Sequence, residues 1–295
     1  MYKFLKQVGY FLIIIVLLPY IITVFINGNG ITAGVSLNGN TPYLVVMKDE
    51  KETRISLEEY GIGVLAKEID ADFELEALKA QAILIRTSIY KTIQEQGSEA
   101  VHTKEYWTRA QMKSNWGSSE YAEKYEKIKQ AWRNTEGQVL MYEGQLALTP
   151  YHKLSNGKTR SGNEVFDTKD YPYLQVKECP DDVESEDAMT TVLINESSVK
   201  IKDKDSAGYV TKVKCSDGTL SGEEFRNKYH LASACFTVQE YEDQIRVTVK
   251  GIGHGLGMSQ NYANIMAAEG KKHAEILEYF FEGTVLEEVA EVVVQ

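Results

Sequence analysis

Three stretches of the sequence hold residues whose types and spacing could do chemistry. The densest is Gly251-Ile252-Gly253-His254-Gly255-Leu256-Gly257-Met258-Ser259-Gln260, with glycines alternating around one histidine. Glycine at that density permits backbone conformations and close approaches that a Cβ forbids. The loop runs from a predicted strand into a helix that Ser259 caps, so free N–H groups there can meet an oxyanion or a sugar hydroxyl. The second stretch is Phe73–Ala82, whose Glu76 falls in a first helical turn, where a carboxylate complements the helix dipole. Glu68 is the competing carboxylate, on the otherwise apolar face of the preceding helix; the plain structural reading pairs it with Lys79 or Arg86. The third stretch is His152-Lys153-Leu154-Ser155-Asn156-Gly157-Lys158-Thr159.

Several chemistries drop out on spacing alone. A dinucleotide loop needs glycine at positions 1, 3 and 6; counted from Gly251 the sixth residue is Leu256, and from Gly253 it is Met258. The Gly-Lys-Ser/Thr ending of a phosphate loop is missing too. No His-Glu-x-x-His pattern occurs and the 3 cysteines are scattered, so no metal or other cofactor is expected. Cys215 and Cys235 suit either a disulfide in an exported domain or two buried free thiols. The net charge of −11 makes nucleic acid an improper partner, because phosphate binding needs a basic surface. The 18 tyrosines supply rings that pack on sugars, although most belong in strands and core.

The elements that must position these residues read as a mixed set. Tyr43–Met47 and Arg54–Ser56 look like strands. Leu57 to Ile69 and Phe73 to Ile93 look helical, the second with Leu78, Ala82, Ile85 and Ile89 as its apolar stripe. A helical pattern covers most of Val101 to Arg133. Val139–Tyr142 and Gln145–Tyr151 flank a two-residue turn at Glu143-Gly144. Thr191–Ile194 and Tyr209–Cys215 read as strands, Ser221 and Glu224 form a capping box, and Phe236–Tyr241 with Gln244–Lys250 form a hairpin. Helices from Ser259 to Ala268 and Ala274 to Phe281 close the chain. Without a regular βαβ period, the fold class is α+β, one domain with largely antiparallel sheet and flanking helices.

Charge is absent from residues 7 to 47. The first part of that gap, Gly9–Ile26, is intensely apolar and nearly reaches the roughly 20 residues of a spanning helix. Lys3 and Lys6 precede it, which places the N-terminus in the cytoplasm. A cleaved signal peptide is the rival, but the apolar run is long for one and no small-x-small site follows. The expected organisation is an anchor at 1–26, a Gly/Asn/Ser-rich spacer at 27–41 and an extracytoplasmic domain at 42–295.

Taken together, Leu57–Glu68, Glu76-Ala77-Leu78-Lys79-Ala80-Gln81-Ala82 and Gly253–Gln260 resemble the SpoIID/LytB family of membrane-anchored peptidoglycan lytic transglycosylases. The third stretch resembles the family's His-Ser-Thr-Ser-Gly-Gly-Lys-Thr motif in degraded form. The resemblance spans about Ser56 to Phe281. It implies cleavage of the MurNAc–GlcNAc bond of peptidoglycan glycan strands, with Glu76 as the acid. It implies glycan contacts for His152, Ser155, His254, Ser259 and Gln260, a preference for peptide-stripped strands and a cell-wall amidase partner. Some relatives hold zinc with Cys and His near the third motif, where this chain has Ser155 and Asn156 and no Cys. A general acid needs a raised pKa, against the pull of the helix dipole. Glu76 is therefore expected in a cleft against aromatic rings, with Tyr60, Trp107 and Trp116 as neighbours. The alternative is a non-catalytic wall-binding or scaffolding module that has the groove without needing Glu76. A wall amidase or endopeptidase would need a triad that is not visible. An acidic domain should also be repelled by carboxylate-rich wall polymers, in keeping with stripped glycan as substrate.

Overall fold

A computed structural model of the chain describes residues 43–48 and 51–289. The expected anchor and spacer lie outside the described residues. Among the described residues, no helix is long and apolar enough to cross a membrane.

β1 (Tyr43–Lys48) and β2 (Lys51–Ser56) pair antiparallel, and Ser56 then caps α1 (Leu57–Glu68). α2 (Leu75–Gln96) is the central helix, with Leu78, Ile83 and Leu84 fully buried. The helical reading of Val101 to Arg133 holds only in part. Val101–His102 forms a short β3 parallel to β1, and α3 (Arg109–Arg133) starts later because Thr108 and Gln111 build a capping box there. Gly61 lets α1 and α3 approach: a Cβ at Gly61 would stand 2.1 Å from the Trp132 ring. Arg86 is buried from α2 against the end of α3, donating to the carbonyls of Thr135 (2.6 Å) and Trp132 (2.8 Å). It is thus held by a helix C-terminus and not by a carboxylate.

β4 (Gln138–Tyr142) and β5 (Gln145–Leu146) form the expected turn, with positive φ at Glu143 and Gly144, but the second strand stops at Leu146 and does not run on to Tyr151, which pairs elsewhere. β6 (Tyr151–His152), the short α4 (Gly162–Phe166) and a 3-10 turn at Pro180–Glu184 follow. A second, smaller core then forms between two antiparallel sheets. One holds β7 (Met189–Ile194) beside a later hairpin, and the other holds β8 (Val199–Lys204), β9 (Val210–Cys215) and β10 (Gly218–Leu220). β8 is missing from the sequence reading, since Val199 and Ile201 are its only apolar residues. α5 (Gly222–Lys228) has the capping box of Ser221 and Glu224, and places Phe225 in this core with Phe236. The hairpin is β11 (Phe236–Tyr241) and β12 (Gln244–Lys250). The chain returns to the first core through β13 (Met258–Ser259), α6 (Gln260–Ala268), α7 (His273–Phe280) and β14 (Val285–Glu288). The result is α+β with mostly antiparallel pairing, the parallel pairs being β1–β3 and β6–β13. All three cysteines are buried free thiols, so the Cys215–Cys235 alternative resolves in favour of thiols.

Candidate active site

The glycine-rich loop is shaped by the chain beside it. β13 pairs in parallel with β6, and Ile252 exchanges both backbone hydrogen bonds with Leu154. A Cβ at Gly257 would stand 2.0 Å from the Pro150 carbonyl, and one at Gly253 would stand 2.6 Å from His152 Cβ, both at positive φ. What comes close to these glycines is the neighbouring backbone of residues 150–155. Two of the three chemistry-bearing stretches are thereby welded into one structure.

That packing buries much of what the sequence offers as glycan contacts. Ser155 is fully buried, its N–H donating to Asp182 (2.9 Å) and its Oγ accepting from Gly157. Ser259 is also fully buried; it caps α6 and donates to the same Asp182 carboxylate (2.6 Å). Asn261 supplies a third donor to Asp182, at 2.9 Å. Asp182, itself fully buried on the 3-10 turn, is thus a hub that sequence reasoning missed among the acids of residues 181–187. His152 is buried, with Nδ1 donating to the Leu256 carbonyl (3.1 Å). Burial and then the nearby His254 push its pKa down to about 3. His254 is half-buried, with its ring 5.9 Å from that of His152. Its Nδ1 accepts the Leu256 N–H (3.0 Å), so the neutral ring carries its proton on Nε2. Burial and then the charge of Arg226 bring its pKa down to about 4.

Glu76 lies elsewhere. One carboxylate oxygen takes the Lys79 ammonium at 2.8 Å, and the other takes the His273 N–H at 2.9 Å, with His273 Nδ1 at 2.7 Å. Burial acts to raise its pKa, but these partners outweigh it and hold the group at about 2. Glu76 therefore joins the start of α2 to the start of α7. The expectation of aromatic neighbours and a raised pKa is not met at this residue, because the cap of a second helix occupies it.

Those aromatic neighbours gather around Glu68 instead. A cavity of about 520 Å³ is lined by Glu68, Phe73, Trp107, Trp116, Gln260 and Asn261. The two tryptophans meet edge to face at 6.0 Å between ring centroids. α1 holds Trp107 in place, its Gly63 carbonyl accepting the Trp107 N–H at 3.0 Å. Gln260 donates to the Glu68 carbonyl (2.9 Å) and to Gln81 (3.1 Å), so the last residue of the glycine motif fixes the end of α1. The Tyr151 hydroxyl accepts from the Lys104 ammonium, which sits 4.2 Å from the Tyr151 ring centroid, and both groups feel the charge of Glu68. Burial raises the Tyr151 pKa well above its ordinary value, with Glu68 adding to the rise. Tyr60 donates to the Lys104 carbonyl (2.9 Å), and its pKa is raised by burial, with Glu68 contributing. Lys79 pairs with Glu76 and Arg86 with carbonyls, so neither is the partner of Glu68.

Comparison with known proteins adds the family. A model described as "SpoIID: Stage II sporulation protein" matches residues 48–142. Stage II sporulation protein D of Bacillus subtilis (strain 168) is 35% identical over 259 residues, covering 79% of this chain and 75% of that protein. The chain belongs to the SpoIID family. The same-named protein of Bacillus amyloliquefaciens is 33% identical over the same length. A protein named Amidase enhancer, from Bacillus subtilis (strain 168), is 25% identical over 294 residues, which is 40% of its length. Within this SpoIID member the region matched by the family model holds Glu68, Glu76, Lys104 and both cleft tryptophans. The glycine motif lies beyond it. Among the described residues no cluster of His, Cys, Asp or Glu is arranged to hold a metal ion.

Proposed function

We propose that this SpoIID-family chain is a lytic transglycosylase of peptidoglycan glycan strands and that Glu68 is its acid. The observation that carries this is the environment of the two carboxylates: Glu68 lines an aromatic cavity, while Glu76 is spent on Lys79 and His273. The cavity volume lies within the range of small-molecule sites, and paired tryptophans suit the faces of sugar rings.

In the proposed step, protonated Glu68 donates to the glycosidic oxygen, the C1–O bond of MurNAc breaks, and the GlcNAc O4 leaves as a hydroxyl. The MurNAc C6 hydroxyl attacks C1 and gives its proton to the Glu68 carboxylate. The new C1–O6 bond closes a 1,6-anhydro ring and no water is consumed. One carboxylate serves twice, unlike the paired carboxylates of most glycosidases. Lys104 and Tyr151 set the electrostatic surroundings of that carboxylate, and Gln260 fixes the helix end that carries it.

The same reading places the domain outside the cytoplasmic membrane, tethered by the apolar run before Asn27, with peptide-stripped wall glycan as substrate. The likeness to the Amidase enhancer supports work beside a wall amidase. Stripped glycan strands incubated with the protein should yield fragments ending in 1,6-anhydromuramic acid. Glu68→Gln should abolish them and Glu76→Gln should not. Strand binding without fragments, unchanged in Glu68→Gln, would establish the wall-binding module instead.

A further inference from the structure

A second cavity, of about 330 Å³, lies between α1, α2 and β3, and the proposed reaction does not use it. His102 and Lys104 line it, with the hydroxyls of Ser88 and Thr103 and an apolar wall at Val64 and Ile89. His102 is only 6% exposed, and its Nε2 meets no hydrogen-bond partner. A buried polar atom left unpaired in a native fold calls for an explanation, and a ligand is one. Lys104 is the other underused group. Its ammonium donates to the Tyr151 hydroxyl and feels the Glu68 charge, but no carboxylate among the described residues comes within ion-pair distance of it. The lysines lining the neighbouring cleft are each paired: Lys67 with Glu105, Lys124 with Asp72, and Lys153 with Asp187. In a chain of net charge −11, an unpaired ammonium beside an orphaned imidazole is a place made for a negative group.

We propose that this cavity is a second ligand site, for a short-chain carboxylate, with Lys104 and His102 as its recognising groups. One carboxylate oxygen meets the ammonium and the other an imidazole N–H. The hydroxyls of Ser88 and Thr103 suit a neighbouring hydroxyl or ether oxygen, and Val64 with Ile89 takes the short aliphatic part. Burial lowers the pKa of both recognising groups, which a bound anion would offset. Lys104 is exposed as a residue, so a ligand can reach it. Two sources fit this chemistry: a free hydroxy acid, or the lactyl substituent of a muramyl sugar, which carries a free carboxylate only where no peptide is attached. Occupation reaches the cleft through Lys104, whose ammonium donates to the Tyr151 hydroxyl and feels the Glu68 charge.

The test needs no glycan cleavage, so its outcome is independent of the reaction proposed above. The full chain in detergent is titrated with D-lactate, with N-acetylmuramic acid and with the methylamide of that acid. His102 is followed by NMR and identified among the 5 histidines by its loss in His102→Asn. Saturable shifts of His102 with the two acids, and none with the methylamide, are expected. Lys104→Met and Lys104→Gln should weaken acid binding by about tenfold or more, and Lys104→Arg should recover most of it. Tighter binding of N-acetylmuramic acid than of D-lactate identifies the glycan as the source, and the reverse identifies a free acid. The proposal is overturned if neither acid shifts His102, if the methylamide binds as well as the acids, or if folded Lys104→Met and Lys104→Gln bind them unchanged.

Discussion

At the scale of the residue, two glutamates eight positions apart have opposite fates, and position on a helix decides them. Glu76 opens α2, where the helix dipole and the α7 N-terminus both welcome an anion. Glu68 closes α1, at the end where a negative charge is disfavoured, and faces a cavity. Glu76 should therefore matter to stability and not to chemistry. Its folded pKa, about 2, lies below the ordinary 4.5, so its contribution is complete above pH 4.5 and is lost as the pH falls through about 2. Glu76→Gln should cost about 2 kcal/mol near neutral pH. Melting temperatures of the two proteins should converge between pH 4.5 and 2, and a constant gap across that window would refute the assignment. The motif spacing made Glu76 visible in the sequence. What it could not show was His273, which meets Glu76 from 197 positions away.

At the scale of the element, the Gly-His-Gly loop and β6 form one unit, held by Asp182 and by glycines that no other residue can replace. Gly257→Ala would drive a Cβ into the Pro150 carbonyl at a φ of +66°, which should cost about 3 kcal/mol or more. Chemical denaturation measures that cost directly; a loss below about 1 kcal/mol would mean the loop is softer than its contacts indicate. Local signals in the sequence located most elements here: the capping box of Ser221 and Glu224, the Glu143-Gly144 turn and the Phe236–Lys250 hairpin all form as read. The readings that fell short depend on partners distant in sequence. β3 exists because β1 offers an edge, and β8 because β9 does. Ser155 and Ser259 have the polarity of sugar contacts, yet Asp182 draws both inward.

At the scale of the whole molecule, two hydrophobic cores meet at Arg160. Its side chain is nearly buried and joins Asp205 (2.6 Å), Glu223 (3.0 Å) and the His254 carbonyl (3.1 Å). Arg160→Met should strand the buried Asp205 at a cost of about 3 kcal/mol or more and loosen the second core from the first. All 3 tryptophans lie outside the second core, so their fluorescence reports the first alone. In Arg160→Met the far-UV transition should begin before the tryptophan transition; coincident curves would contradict this coupling. The acidic balance that was plain in the composition acts at this scale too: among the described residues Lys67, Lys124 and Lys153 of the cleft are each paired with a carboxylate, while Lys104 of the second cavity has none within ion-pair distance. The reaction itself is tested most directly by mass analysis of products from peptide-stripped glycan strands. Fragments with 1,6-anhydromuramoyl ends from the wild type and Glu76→Gln, and none from Glu68→Gln, are the predicted result. Undiminished anhydro ends from Glu68→Gln, or their loss in a folded Glu76→Gln protein, would contradict it.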